Sequence, residues 1–323
     1  MSFAVPKRTR LFVGHESEVR TVRLSQDGRS IISKGRNYFM RVWDAETGIC
    51  HRQRVFQIPD KAFAISPDGN LLVVGEHQSV PKIFSVDNPY ADPRLLGQHL
   101  SLCRTVTFSP DGTCILCVGD GYQTYIWDVM TGNLILDMEP LGKGVSIGPA
   151  AFSPDGLFVA FGCTDYVIRI VHIRTKQIVK SFFGHNSWIC DIAFSPDGKQ
   201  LVSGSEDTTV KIWDRETGCL LSDINGHRLE VNVVAFSPDG KLIASGSSDC
   251  SLRFWSTDTW QKMGGMEGFV QPVCSFCFSQ DWSRLVVNTH NDHSVEDPCA
   301  FSVLDFDGPN IGSLSPEEAE LFI

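Results

Sequence analysis

His185, Ser203, Asp207 and Trp213 recur at identical spacing as His227, Ser245, Asp249 and Trp255, 42 residues further on. Serine, histidine and aspartate are the residue types of an acyl-transfer triad, in which an imidazole takes the hydroxyl proton and a carboxylate holds the imidazole. A nucleophile duplicated at a constant interval is redundant, however. No carboxylate pair, dedicated base or firm metal cluster accompanies either copy. Repetition of this kind points to a structural use of the four side chains.

Thiols and imidazoles offer a second chemistry. Cys114 and Cys117, and again Cys274 and Cys277, have the spacing of zinc ligands. Both pairs lie in predicted strands, where residues three apart point to opposite faces. Eleven cysteines scattered along a chain without a secretory signal are expected to be reduced and to pack as small hydrophobes. Between two predicted strands, Arg284 to Thr289 and Ala300 to Asp305, a segment holds His290, Asp292, His293, Glu296, Asp297 and Cys299. With no strand or helix to fix their geometry, these residues read as a solvated loop beside the centre of the molecule. No metal and no cofactor is expected.

The elements that position these residues are set by a turn that recurs seven times at intervals of 41 to 44 residues. Its copies begin at Ser25, Ser66, Ser109, Ser153, Ser195, Ser237 and Ser279. Most read Ser-Pro-Asp-Gly: proline sets φ at the first central position, aspartate can bond its own backbone, and glycine accepts positive φ. Apolar alternating runs flank each turn, and two more follow before the next period. Four short strands in about 42 residues is the signature of a propeller blade. Seven such periods occupy the chain from about residue 10 to 307, so the expected fold is an all-β, seven-bladed propeller of four-stranded antiparallel blades over residues 1–307. A blade cannot bury both faces alone, and the seven must stack radially. The last period lacks an outer strand, and Thr9 to Val13, just before Gly14 and His15, is available to supply it and close the ring. Residues 308–323 form a tail in which Ser315, Pro316, Glu317 and Glu318 could start a short helix.

With Gly184 and His185 leading to Trp213 and Asp214, and Gly226 and His227 leading to Trp255, the chain resembles the WD-repeat β-propeller family over nearly its whole length. The resemblance implies that His185, Ser203, Asp207 and Trp213, and likewise His227, Ser245, Asp249 and Trp255, form buried hydrogen-bonded tetrads in which aspartate orients histidine, histidine reaches serine and serine reaches the indole. Each inward polar group left unpaired would cost about 1–3 kcal/mol, so joint satisfaction is a sufficient reason for the pattern. Blade one departs from it with Asn37 in place of the acid, although His15, Ser33 and Trp43 remain. Blade three keeps His99 and Trp127 but has Cys117 and Gly121 at the other positions. Blades two, four and seven have Phe84, Val171 and Leu304 where tryptophan is expected.

The resemblance also implies that partners engage the face carrying the Gly-His loops, through residues just inside each first strand and just before each tetrad aspartate. Those positions include Arg20, Arg36, Lys61 and Arg104 in blades one to three, and Cys190 and Glu206 in blade five, with Trp188 as a candidate aromatic anchor. A basic sector on a chain of net charge -10 favours acidic or phosphorylated peptides, while the remaining surface would repel a nucleic acid backbone. These charges could equally be solvated rim residues paired with Glu16 or Glu18. The N-terminal residues lack the apolar core of a secretory signal, and no apolar run approaches the roughly 18 residues that span a membrane. The expected protein is a non-enzymatic scaffold or adaptor, a monomeric propeller within a hetero-complex of the cytoplasm or nucleus. The alternative is an enzyme or small-ligand-binding protein that uses the central channel.

Overall fold

A computed structural model describes residues 8–17, 19–25, 28–55, 62–75, 80–86, 92–97, 103–119, 123–138, 145, 147–269, 271–279, 283–288 and 300–306. It contains 28 strands in seven four-stranded antiparallel sheets, and the described residues include no helix. In six blades the strands pair in chain order, here lettered a to d from the axis outward. The seventh takes strand d from the N-terminus: Arg8–Val13 pairs antiparallel with Ala300–Asp305, Phe12 opposite Phe301. The ring is therefore closed by the N-terminal strand, as the sequence predicts.

Two layers of chemistry hold that seam. Phe12, Phe301 and Trp43 of blade one form an aromatic triangle with centroids 4.9 to 5.8 Å apart. Outside it, the Asp305 carboxylate accepts from Arg10 Nη2 at 2.5 Å and Arg284 Nε at 2.7 Å, and Arg284 Nη2 reaches Glu46 of blade one at 2.9 Å.

The turns follow their residue types. In the Ser195 turn, Gly198 sits at φ 69° and its N–H donates to Ser195 O, Lys199 N–H donates to Asp197 Oδ1, and Gln200 N–H donates to Ser195 Oγ. The serine hydroxyl itself donates to Asp197 at 2.7 Å, so one side chain braces both ends of the hairpin.

The core divides as radial stacking requires. Each of seven apolar clusters joins two neighbouring blades; Phe182 and Ile170 of blade four, for example, pack with Ile192 and Trp213 of blade five. Phe84, Val171 and Leu304, which replace tryptophan, are all buried in these clusters. Blade three differs from the sequence expectation in one respect: Cys103 and Cys117, with Cα atoms 6.4 Å apart, are joined by a disulfide. Antiparallel pairing of Cys103–Phe108 with Cys114–Gly119 brings the two together from 14 residues apart, a proximity that scattered spacing does not reveal. Cys274 and Cys277 diverge instead, the first lining the central channel and the second packing against the core between blades seven and one.

Candidate functional site: tetrads and the mouth of the channel

In blade five the four side chains meet. His185 lies at the entrance to strand a (Ile189–Phe194), Ser203 on strand b (Gln200–Ser205), Asp207 in the following turn and Trp213 on strand c (Thr209–Asp214). His185 Nδ1 is 2.7 Å from Asp207 Oδ2, His185 Nε2 is 2.7 Å from Ser203 Oγ, and Trp213 Nε1 donates to Ser203 Oγ at 2.9 Å. Because the indole can only donate and the carboxylate only accept, the chain of bonds has one direction. The indole gives to serine, serine to Nε2, and Nδ1–H to aspartate. Blade six repeats it, with His227 Nδ1 at 3.0 Å from Asp249, His227 Nε2 at 2.7 Å from Ser245 and Trp255 Nε1 at 2.8 Å from Ser245.

Serine, histidine and aspartate thus have the connectivity of a triad, and burial decides against one. Ser203 and Ser245 are 0% exposed, and each Oγ already accepts an indole N–H where a substrate would have to approach. The carboxylates serve more than histidine. Asp207 also accepts from Asn186 N–H and the Thr209 hydroxyl, and Asp249 from Arg228 N–H and the Ser251 hydroxyl. Burial pushes both carboxyls up, but bonds from His185, Thr209 and Asn186 hold Asp207 well below the usual range. Those from Ser251, Arg228 and His227 hold Asp249 down to about 2.

Blade one has three of the four. His15 Nε2 is 2.6 Å from Ser33 Oγ, and Trp43 Nε1 donates to the same oxygen at 2.7 Å. Asn37 does not reach the imidazole, and His15 Nδ1 is buried with no hydrogen-bond partner among the described residues. Burial, with the Arg41 charge nearby, lowers the His15 pKa from 6.5 to about 4. In blade three Trp127 is buried and Cys117 is taken by the disulfide, while His99 and Gly121 lie outside the described residues.

The channel mouth is built by a feature absent from the sequence pattern. In blades one, three, four, five and six the pairing of strands a and b shifts register at the start of strand a. The unpaired residues at those bulges are Arg20, Arg104, Gly148 with Pro149, Cys190 and Asn232. A β-bulge re-aims the side chain it leaves unpaired. Arg20, Cys190 and Asn232 line a common cavity of about 290 Å³ with Thr21, Arg23, Asp191, Val233, Cys274 and Ser275.

Of the remaining predicted contact residues, Arg36, Trp188 and Glu206 are described. Arg36 is exposed and Arg20 half-buried. Trp188 is 55% exposed, and its carbonyl accepts the N–H of Glu206, whose carboxylate receives the Ser187 hydroxyl. Lys61, the Arg104 side chain, the 290–299 segment and the 308–323 tail lie outside the described residues. Spacing also left unnoticed the cations two residues before the tryptophans. Lys211 pairs with Asp223 at 2.5 Å, and Arg253 reaches Asp249 at 3.5 Å. Their signal was a charge at an inward position of strand c.

The family profile described as "WD domain, G-beta repeat" matches residues 6–44, 176–214 and 218–256, which fall on blades one, five and six together with the outer strands that precede them. The chain is a seven-bladed propeller that carries WD repeats in blades one, five and six. Among curated relatives it is 28% identical over 178 residues to the chicken (Gallus gallus) serine-threonine kinase receptor-associated protein, covering 53% of this chain and 47% of that one. It is 26% identical over 183 residues to the mouse (Mus musculus) target of rapamycin complex subunit LST8, covering 52% and 55%. A third relative, the nuclear distribution protein PAC1 of Coccidioides posadasii, is 32% identical over 151 residues, covering 41% and 32%. The WD-repeat chain therefore spans about half the length, or less, of the curated relatives it matches.

Proposed function

We propose that this WD-repeat propeller is a non-enzymatic scaffold or adaptor subunit of a multiprotein complex, and that its partner docks on the face carrying the Gly-His loops. The observation that carries the reading is the set of bulges at the starts of the inner strands. They put side chains of different character at equivalent points around one mouth, while the Ser-His-Asp sets of blades five and six are consumed by buried tetrads. Relatives whose names describe a receptor-associated protein and a complex subunit support the same class of function. Arg20, Arg36, Lys61 and Arg104 form the basic sector of that face in blades one to three and select an acidic or phosphorylated segment, since guanidinium grips carboxylate or phosphate through two parallel bonds. Trp188 and Glu206 flank the opposite side.

The test is affinity capture from the protein's own cell extract with the wild type and the variant Arg20→Glu, Arg36→Glu, Lys61→Glu, Arg104→Glu, each checked by thermal melting. A defined set of proteins retained by the wild type and lost from a folded variant is the expected result. Unchanged retention would remove the basic sector from the reading.

A further inference from the structure

Arg23 is held in an unusual way for a residue facing the axis. Strand a of blade one (Val19–Leu24) carries it inward, and its guanidinium lies 5.9 Å from the centre of the Phe63 ring of blade two. On the other side, Nη1 donates to Val22 O and to Ser275 Oγ of blade seven, both at 3.0 Å. The fork is thus fixed across three blades through one nitrogen, while Nε and Nη2 donate to no protein group among the described residues.

The other polar groups of the 290 Å³ cavity are tied to the walls. Ser275 Oγ also bonds both backbone groups of Val22, Asn232 Nδ2 donates to Ser248 Oγ and Val273 O, and Asp191 Oδ2 accepts the N–H of Val234. The unused edge of Arg23, formed by Nε and Nη2, is thus held in place beside this cavity. A preorganised fork edge at a partly desolvated cavity is a receptor for an oxyanion. The volume lies at the lower limit of small-molecule sites, about 300–1,000 Å³.

We propose that the channel between blades one, five, six and seven binds a small free oxyanion, a phosphate or a carboxylate, through the Nε and Nη2 edge of Arg23. This is separate from partner docking, because Arg23 lies inside the channel and is not part of the basic sector of the face.

The experiment is isothermal titration calorimetry of the full chain with inorganic phosphate and, separately, with malonate, chloride holding ionic strength constant. Saturable binding of at least one anion is expected, weakened at least about tenfold by Arg23→Gln and by Arg23→Lys, which keeps the charge but not the fork. Arg174→Gln, an exposed charge loss away from the channel, controls for net charge and leaves binding as in the wild type. No saturable binding of either anion by the wild type, or equal binding by the folded Arg23 variants, overturns the proposal. If neither variant folds, a selenate-soaked crystal of the wild type decides: an anomalous peak beside Arg23 supports the site, and its absence there refutes it.

Discussion

Blades five and one use the same histidine, serine and tryptophan, and differ at one position. In blade five Asp207 finishes the chain of bonds that starts at the indole; in blade one Asn37 leaves His15 Nδ1 buried and unpaired. The difference shows what the acid contributes. It satisfies a buried N–H, and it also collects the backbone and hydroxyl donors of two adjoining turns, Asn186 N–H and the Thr209 hydroxyl. The tetrad is a local cross-link between the entry loop and the turn after strand b, and blade one lacks that cross-link.

The sharpest way to break this comparison is to remove the acid where it is used. Asp207→Ala leaves His185, Asn186 N–H and Thr209 without their acceptor in a nearly water-free site, and is expected to cost about 3–5 kcal/mol in urea denaturation. Asn37→Ala removes a side chain that His15 does not use, and is expected to cost less than about 1 kcal/mol. Equal costs in the two blades would show that the carboxylate acts through the turn alone.

Acid separates the blades next. The folded-state pKa of His15 is depressed to about 4 from 6.5, so the unfolded chain binds more protons between those values. Stability is then fully present above pH 6.5, falls as pH drops towards 4 and is not reduced further below it, by up to about 3 kcal/mol in total. His227 in blade six is lowered too, because burial outweighs the upward pull of Asp249, but it has that carboxylate as a counterweight. Asp249, held at about 2, contributes stability that is lost only as pH falls from 3.8 towards 2. Hydrogen exchange at pH 5 compared with pH 7.5 should therefore open the strands Val19–Leu24 and Ser30–Gly35 of blade one more than their counterparts in blade six. Uniform loss of protection would contradict it.

Much of this architecture is legible from residue types. The Ser-Pro-Asp-Gly turns carry their own geometry in proline, aspartate and glycine, and the missing outer strand of blade seven pointed to the N-terminal residues that supply it. The members of each tetrad could be picked out by spacing, whereas the direction of donation and the burial that distinguishes them from a working triad emerge only in three dimensions. The bulges are hard to read in one dimension, because register is a property of two paired strands; an extra residue such as Cys190 shows in its own strand only as a break in the alternation, with buried Ile189 and Ile192 three residues apart. The same holds for Arg23, whose anchors Ser275 and Phe63 are brought to it by ring closure, and for the joined Cys103 and Cys117.

The finest test converts one blade into the other. Asn37→Asp places a carboxylate beside Gly35, where Asn37 Oδ1 and His15 Nδ1 already flank the same point, within 2.7 and 2.9 Å of where a Cβ on that glycine would stand. Blade six supplies the precedent for a nearby cation, since Arg253 reaches Asp249 from the position that Arg41 holds in blade one. Blade one has Phe39 in place of Thr209 or Ser251, so the new carboxylate gains no hydroxyl donor, and the expected gain is only about 1 kcal/mol at pH 7. An opposite charge beside His15 raises its pKa, which narrows the window in which acid costs stability, and the two readouts must move together. A gain in stability with an unchanged acid window would mean that aspartate improves the turn and leaves the imidazole untouched. A loss would mean that removing the carboxylate from water outweighs the new bond, and that asparagine is the better residue in a blade whose outer neighbours cannot complete the acid's shell.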